Sequence, residues 1–406
     1  MCVVTLYDMA YRRFLNFQPI DKLSWRKRDK QYECLPTVKQ MITDIGIYRT
    51  MWTKIQRIPG KNSFVKAKRE IVKEFLFQVQ QGEDIGLNDQ GTFEKVFNAE
   101  TTKRGRKREW SPSEEDSSRK KICNELPSIE ERRDQDSLPH SMDIEDSEGE
   151  NNDKGNKIKE TQNLLRGYWH LEDEFKKLSD EEQENYVGEI DVETCIQECH
   201  QVLMRDLLNE TKTQPGKFSV LPRSANFEGK DYLYPSYATE EIAFQAVDTI
   251  VLEYNKMVRE ISKIENKHEK LERSLKCATV LLFGFLTLHP FADGNGRLAR
   301  LLCSHCLKVF CPFPTSIYNV FSHSTRYDYV RALVNARRHL QMDSDQIQHN
   351  EDAIKEAELI LEQKPEELCS LVIESNWFTW RQFLHRIGED IPLFDFEKKP
   401  QEIKET

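Results

Sequence analysis

The sequence predicts a mainly α-helical protein with one β-hairpin, preceded by a small helical N-terminal region and a disordered, charged linker. Three observations carry that expectation. Apolar residues recur at helical spacing before residue 100 and again from about residue 160. One stretch, Phe218–Pro235, switches to strand-like composition. Between the two helical regions, residues 101–158 lose hydrophobic period and carry blocks of like charge. The expected units are therefore 1–100, 101–158 and 160–400.

In the first unit, Val38, Met41, Ile42, Ile45, Ile47 and Met51 define one helix. Phe64, Val65, Ile71, Val72, Phe75, Leu76 and Val79 define a second, and Pro59-Gly60 parts the two. No chemical motif marks this unit, and its role stays open between partner choice and packing support. In the second unit, Lys103–Arg108 and Arg119–Lys121 form two basic clusters resembling a bipartite nuclear import signal. The expected compartment is thus the nucleus, with the cytoplasm second. Ser111-Pro112 lies beside the first cluster, where phosphorylation would weaken such a signal. Met142–Asp153 then carries six carboxylates.

In the third unit, Leu164, Leu165, Tyr168 and Trp169 open an amphipathic stretch, and Asp191 is placed to cap a helix facing Val192, Ile196, Cys199, Leu203 and Leu207 inward. Phe218, Val220, Phe227, Tyr232 and Tyr234 make the hairpin, with Glu228-Gly229 at its turn. Thr239 opens a strong helix along Ala243, Val247, Ile250, Val251, Tyr254, Met257 and Val258. Leu275–Leu288 is almost continuously apolar and suits a helix buried on most sides. Residues 340–365 read as an insertion or surface helix, and Glu367–Leu384 as a final core helix or pair.

The 406 residues carry a net charge of −10 and a mean hydropathy of −0.70. An acidic chain is a poor general nucleic-acid binder. Met1–Phe17 lacks the layout of a signal peptide, and Ala278–Leu288 is too short to span a bilayer, so the expected protein is soluble, with no membrane partner. The Cys303-x-x-Cys306 pair with His305, and Cys195, Cys199 and His200, fall on apolar helix faces. Buried reduced thiols are therefore expected over a metal site.

The chemistry gathers in His289-Pro290-Phe291-Ala292-Asp293-Gly294-Asn295-Gly296-Arg297-Leu298-Ala299-Arg300. Pro290 ends the buried helix, and a second helix begins near Gly296. Gly294 and Gly296 permit positive φ and close approach of another group. Free N–H groups at a helix start attract phosphate. Arg297 and Arg300 reach the same anion, Asp293 among phosphates points to Mg²⁺, and His289 is a base near neutrality. Together these fit phosphoryl or nucleotidyl transfer.

The stretch also resembles the signature of the Fic (Fido) domain family, H-P-F-x-[DE]-G-N-G-R-x-x-R, with every fixed position present. The order of elements over about 185–340 resembles a Fic core. The resemblance implies a protein adenylyltransferase moving AMP from ATP to a Ser, Thr or Tyr hydroxyl of a target protein. His289 would be the general base. Gly294, Asn295, Gly296, Arg297 and Arg300 would bind nucleotide, with Asn295 on the α-phosphate, and Asp293 would hold Mg²⁺. Residues 218–234 would be a flap that pairs with the target's main chain. Tyr329 and Leu333 fit the spacing of a helix lining the adenine pocket. Many members also carry an inhibitory helix, [ST]-x-x-x-E-[GN], whose glutamate pairs with the last motif arginine. Ser370–Ser375 comes closest, making Glu374 the candidate, against a plain solvent-facing glutamate. The competing readings are a Fic-fold transferase using UTP or another donor, a de-AMPylase, and a non-catalytic nuclear interaction protein.

Overall fold

A computed structural model of the chain describes residues 13–21, 23–28, 32, 34–57, 63–109, 147–181, 188–207, 214–318, 324–340, 346–394 and 397. The second basic cluster, Ser111-Pro112, Pro59-Gly60 and residues 142–146 lie outside these residues.

The first half supplies α1 (Val38–Ile55), α2 (Ser63–Gly82), α3 (Gln90–Glu109) and α4 (Ser147–Glu181). A π-helical stretch, Val192–Glu198, leads into the short α5 (Cys199–Leu203). Strands β1 (Ser224–Phe227) and β2 (Lys230–Leu233) form an antiparallel hairpin in which Ser224 faces Leu233 and Phe227 faces Lys230. Then come α6 (Glu240–Ser262), α7 (Lys267–Leu288), α8 (Asn295–Cys306), α9 (Arg326–Ala336), α10 (Asn350–Leu361) and α11 (Glu366–Arg386). The mainly helical class with one hairpin is thus the observed one.

Local chemistry sets the element starts. Thr37, Asp191 and Thr239 each accept a backbone N–H of the helix they precede. Thr325 and Asp328 make a reciprocal capping box at α9. The hairpin turns at Glu228 and Gly229, both at positive φ (53° and 74°), which matches the twist of a tight two-residue turn. Its strands are shorter than the aromatic pattern implied, because Phe218 leaves the sheet to pack on Phe291 and Phe244.

Helix α7 is the axle. Every residue from Ser274 to Leu288 is buried, as its almost continuously apolar run predicts. Helices α1, α6, α8, α10 and α11 pack around it. The first unit is therefore part of one continuous core: α1 lies along α11 and α7, and α2 reaches α4, α8 and α11. Residues 340–365 contribute more than a surface helix, since Ala353, Ala357, Ile360 and Leu361 of α10 are buried, and α10 packs on α6 and α7. Residues 366–386 form one helix.

The linker boundaries are corrected at both ends. Helix α3 runs through Glu109 and α4 begins at Ser147. Charges that read as solvated are paired between these helices: Arg104 binds Asp173 at 2.6 Å and lies over the Trp169 ring. Arg166 of α4 and Lys103 both reach the buried Glu100. Among the described residues no helix is long and apolar enough to cross a membrane.

Candidate active site

The loop between α7 and α8 is held open by three conformational devices. His289 caps α7 in the left-handed region (φ 49°, ψ 55°), its N–H bonded to the Phe285 carbonyl at 2.9 Å. A non-glycine residue there is uncommon and turns the chain sharply away from the helix axis. Phe291 is fully buried and anchors the turn. Gly294 starts α8 at φ 77°, where a Cβ would also strike the Met204 sulfur at 2.7 Å.

Leu298 is the first residue of α8 to bond back, to the Gly294 carbonyl, so the N–H groups of Asn295, Gly296 and Arg297 lack that helical partner. Such a helix start favours an anion. Arg297 and Arg300 add charge, and both are buried. Nη1 of Arg297 and Nε of Arg300 have no hydrogen-bond partner. Buried unpaired donors are costly, so these two await an acceptor. Asp293 is half exposed at the mouth of the loop and 3.3 Å from Arg297. A single carboxylate beside an anion site suits Mg²⁺, which is bound largely through phosphate and water.

Asn295 has a bracing part in the loop, beside the phosphate contact implied by the resemblance. Its Nδ2 donates to the Phe291 carbonyl (2.8 Å) and its Oδ1 accepts from the Phe291 N–H (3.0 Å). The side chain braces the loop from within.

Two residues were missed. His200, on α5, stacks on Phe291 with ring centroids 3.6 Å apart. Its Nδ1 accepts from Gly216 N–H at 2.9 Å, which leaves Nε2 to donate to the Asp293 carbonyl at 3.0 Å. Burial lowers its pKa to about 4, so the ring stays neutral and clamps the anion loop. Sequence reasoning grouped His200 with Cys195 and Cys199; those thiols are free and buried. His200→Ala is expected to cost about 2–4 kcal/mol, through the lost stack and two hydrogen bonds. Denaturant unfolding checks this, and a midpoint equal to wild type would remove the clamp.

The second is Glu83, just past α2. It forms an ion pair with Arg300. Its carboxylate also lies against Gly296, where a Cβ would sit 2.4 Å from Oε1. Arg300 further donates to the Val79 carbonyl (3.3 Å). The glutamate facing the last motif arginine is therefore Glu83. Glu374 is corrected on both readings: it is fully buried, and Arg26 holds its Oε2 at 2.6 Å and 2.9 Å. Burial pushes its carboxyl up to about 7, with Arg26 acting the other way.

Tyr329 is brought to the site. It stacks on Tyr318 at 5.0 Å, and the Arg300 guanidinium lies 5.9 Å from its ring. Its buried hydroxyl has no partner.

Three buried histidines give a pH dependence. Burial holds His289 at about 3, and His200 and His305 at about 4, each below its ordinary 6.5. Between pH 6.5 and about 4 the unfolded chain binds these protons and the folded chain does not. Glu374 opposes, holding one proton in the folded state between 4.5 and about 7. The histidines outnumber it, so these groups lower stability on acidification by about 1.4 kcal/mol per pH unit for each net proton. Calorimetry at pH 7 and pH 5 should give the lower Tm at pH 5; a higher one would contradict the sign.

The fold and site define a mainly helical protein in which a loop opening at His289 leads to a helix start with two buried arginines. Residues 190–307 match the sequence model of the Fic/DOC family. Proteins of the family are typically transferases. A Fido domain-containing protein of Dictyostelium discoideum is 35% identical over 69 residues, 17% of this chain and 45% of that protein. The ribonucleoside-diphosphate reductase small chain of Ostreid herpesvirus 1 is 29% identical over 121 residues, 30% of this chain and 20% of that protein. The chain thus spans under half the length of either relative. A Fic domain containing signaling protein from Bacteroides thetaiotaomicron shares the fold, with a TM-score of 0.50, 14% identity, and coverage of 87% of this chain and 99% of that one.

Proposed function

We propose that this protein is a protein adenylyltransferase whose nucleotide site is restrained by Glu83. The observation that carries the reading is the pair of buried, unpartnered guanidinium nitrogens of Arg297 and Arg300 at the start of α8, one short loop from His289. Donors fixed in place before the reaction stabilise developing phosphate charge without reorganising. In the proposed reaction an acceptor hydroxyl of a target protein gives its proton to His289. Its oxygen bonds to the α-phosphorus of ATP, and the bond from that phosphorus to the pyrophosphate oxygen breaks. Arg297 and Arg300 hold the departing phosphates. His289 is neutral throughout the physiological range, so the base needs no deprotonation. Asp293 would hold Mg²⁺, which when bound neutralises phosphate charge.

Glu83 occupies Arg300, and so competes with the terminal phosphates of a nucleotide. The first unit of the chain then has a second role beyond packing: α2 delivers the restraint. For the working compartment we propose the nucleus, on the basic run that begins at Lys103 near the end of α3.

The donor is tested with ATP labelled at the α- or the γ-phosphorus, with UTP as competitor. Label retained on protein from the α position only, and resisting UTP, supports adenylyl transfer. Retention from the γ position would replace the reading with phosphotransfer, and loss of label to UTP with uridylyl transfer.

A further inference from the structure

His289 lies beneath the base of the hairpin. Tyr234 continues the hairpin register beyond β2, its N–H donating to the Arg223 carbonyl at 3.0 Å. The Tyr234 ring stacks on the His289 imidazole, with centroids 4.0 Å apart and planes 13° from parallel. The Arg337 guanidinium lies 4.8 Å from the same Tyr234 ring, and Arg337 also donates to the Leu233 carbonyl at 2.5 Å. Arg223 ties the base of the hairpin together by donating to the Ser219, Leu221 and Pro235 carbonyls. Nδ1 of His289 is buried and makes no well-aligned hydrogen bond, the Leu286 backbone offering a weak one that ranks behind burial and the two arginines in its effect on the ring. A catalytic base is ordinarily oriented by a hydrogen bond to a third group. Here the backbone contact is weak, and an aromatic face is added to it.

We infer that Tyr234, backed by Arg337, is a positioning residue for His289: it fixes the imidazole plane and ties the base to the hairpin that would hold the target. The inference rests on the transferase reading above. The groups that face His289 are Tyr234, Arg223, Arg337 and Asp293. Burial first, and then the two arginines, disfavour the imidazolium, while Asp293 acts the other way. A ring-plane error at a proton-transfer distance is expensive, so loss of the stack should act on kcat and spare nucleotide binding.

The test uses full-length protein with ¹³C-labelled histidine, its His289 signal assigned by the loss in His289→Ala, together with transfer kinetics in a Glu83→Gly background. In wild type the His289 signal is expected to be shifted upfield by the Tyr234 ring and not to titrate between pH 8 and pH 5. Tyr234→Leu should remove the upfield shift, and lower kcat roughly ten- to a hundredfold with an unchanged KM for ATP. Tyr234→Phe keeps the ring and should restore both. Arg337→Gln, which removes one of the opposing charges, should bring the titration of His289 upward and raise the acid limb of the rate profile. Transfer that is present but unmoved in kcat and pH profile by Tyr234→Leu and Arg337→Gln would overturn the role of Tyr234 alone. No transfer in the Glu83→Gly protein, with the upfield shift as described, would overturn the transferase reading, and the positioning role with it.

Discussion

Glu83→Gly is expected to raise nucleotide binding and transfer about ten- to a hundredfold. The reasoning starts from Arg300, whose guanidinium is buried and paired with Glu83. A charged hydrogen bond of this kind is worth about 1.5–3 kcal/mol. A nucleotide whose phosphates need Arg300 must displace it, and 1.4 kcal/mol corresponds to about tenfold in affinity. Removing the carboxylate also clears the space beside Gly296, which Glu83 fills. Glycine suits the position because α2 ends there and Asp84 already turns in the left-handed region. The measurement is ATP affinity by calorimetry beside the transfer rate. Unchanged values for both would return Glu83 to a structural ion pair.

His289→Ala is expected to keep ATP binding and lose transfer by at least about a hundredfold. The separation follows from the placement of the groups. The anion site is built by α8, Arg297 and Arg300, while His289 caps α7 on the other side of the loop. The same substitution removes a buried ring and its stack on Tyr234, so some stability is lost as well. Binding is therefore read at a temperature well below the unfolding transition. Transfer at the wild-type rate in a folded His289→Ala protein would remove the assigned base.

Much of this site was legible because its chemistry is contiguous. Gly294, Gly296, Arg297 and Arg300 lie within one loop and the first two helix turns, and the roles proposed for them follow from φ, helix ends and charge. The axle helix was legible for the same reason, an almost continuous apolar run. What stayed hidden depends on contacts far apart in sequence. Glu83 sits 217 residues from Arg300. Its surroundings, Val79 through Asp84, lack the Ser or Thr and the Gly or Asn of the inhibitory pattern. The physical signal was nevertheless present. The position after the glutamate adopts φ 54°, and aspartate is among the few side chains that tolerate it. Reading Gly or Asn as a demand for the left-handed region would have admitted Asp84. Glu374 matched the letters better, yet its helix turns it into the core toward Arg26. His200 was hidden because one histidine on an apolar helix face gives no sign of what it touches. At the basic run that begins at Lys103, the linker appearance hid Asp173 and Trp169, to which Arg104 is bound.

The most direct test of the account is the intact mass of the Glu83→Gly protein after incubation with Mg²⁺ and ATP, beside the Glu83→Gly/His289→Ala double variant. The account predicts a gain of one or more adenylyl masses in the first protein and none in the second. Equal gains in both, or none in the first with ATP bound, would contradict it.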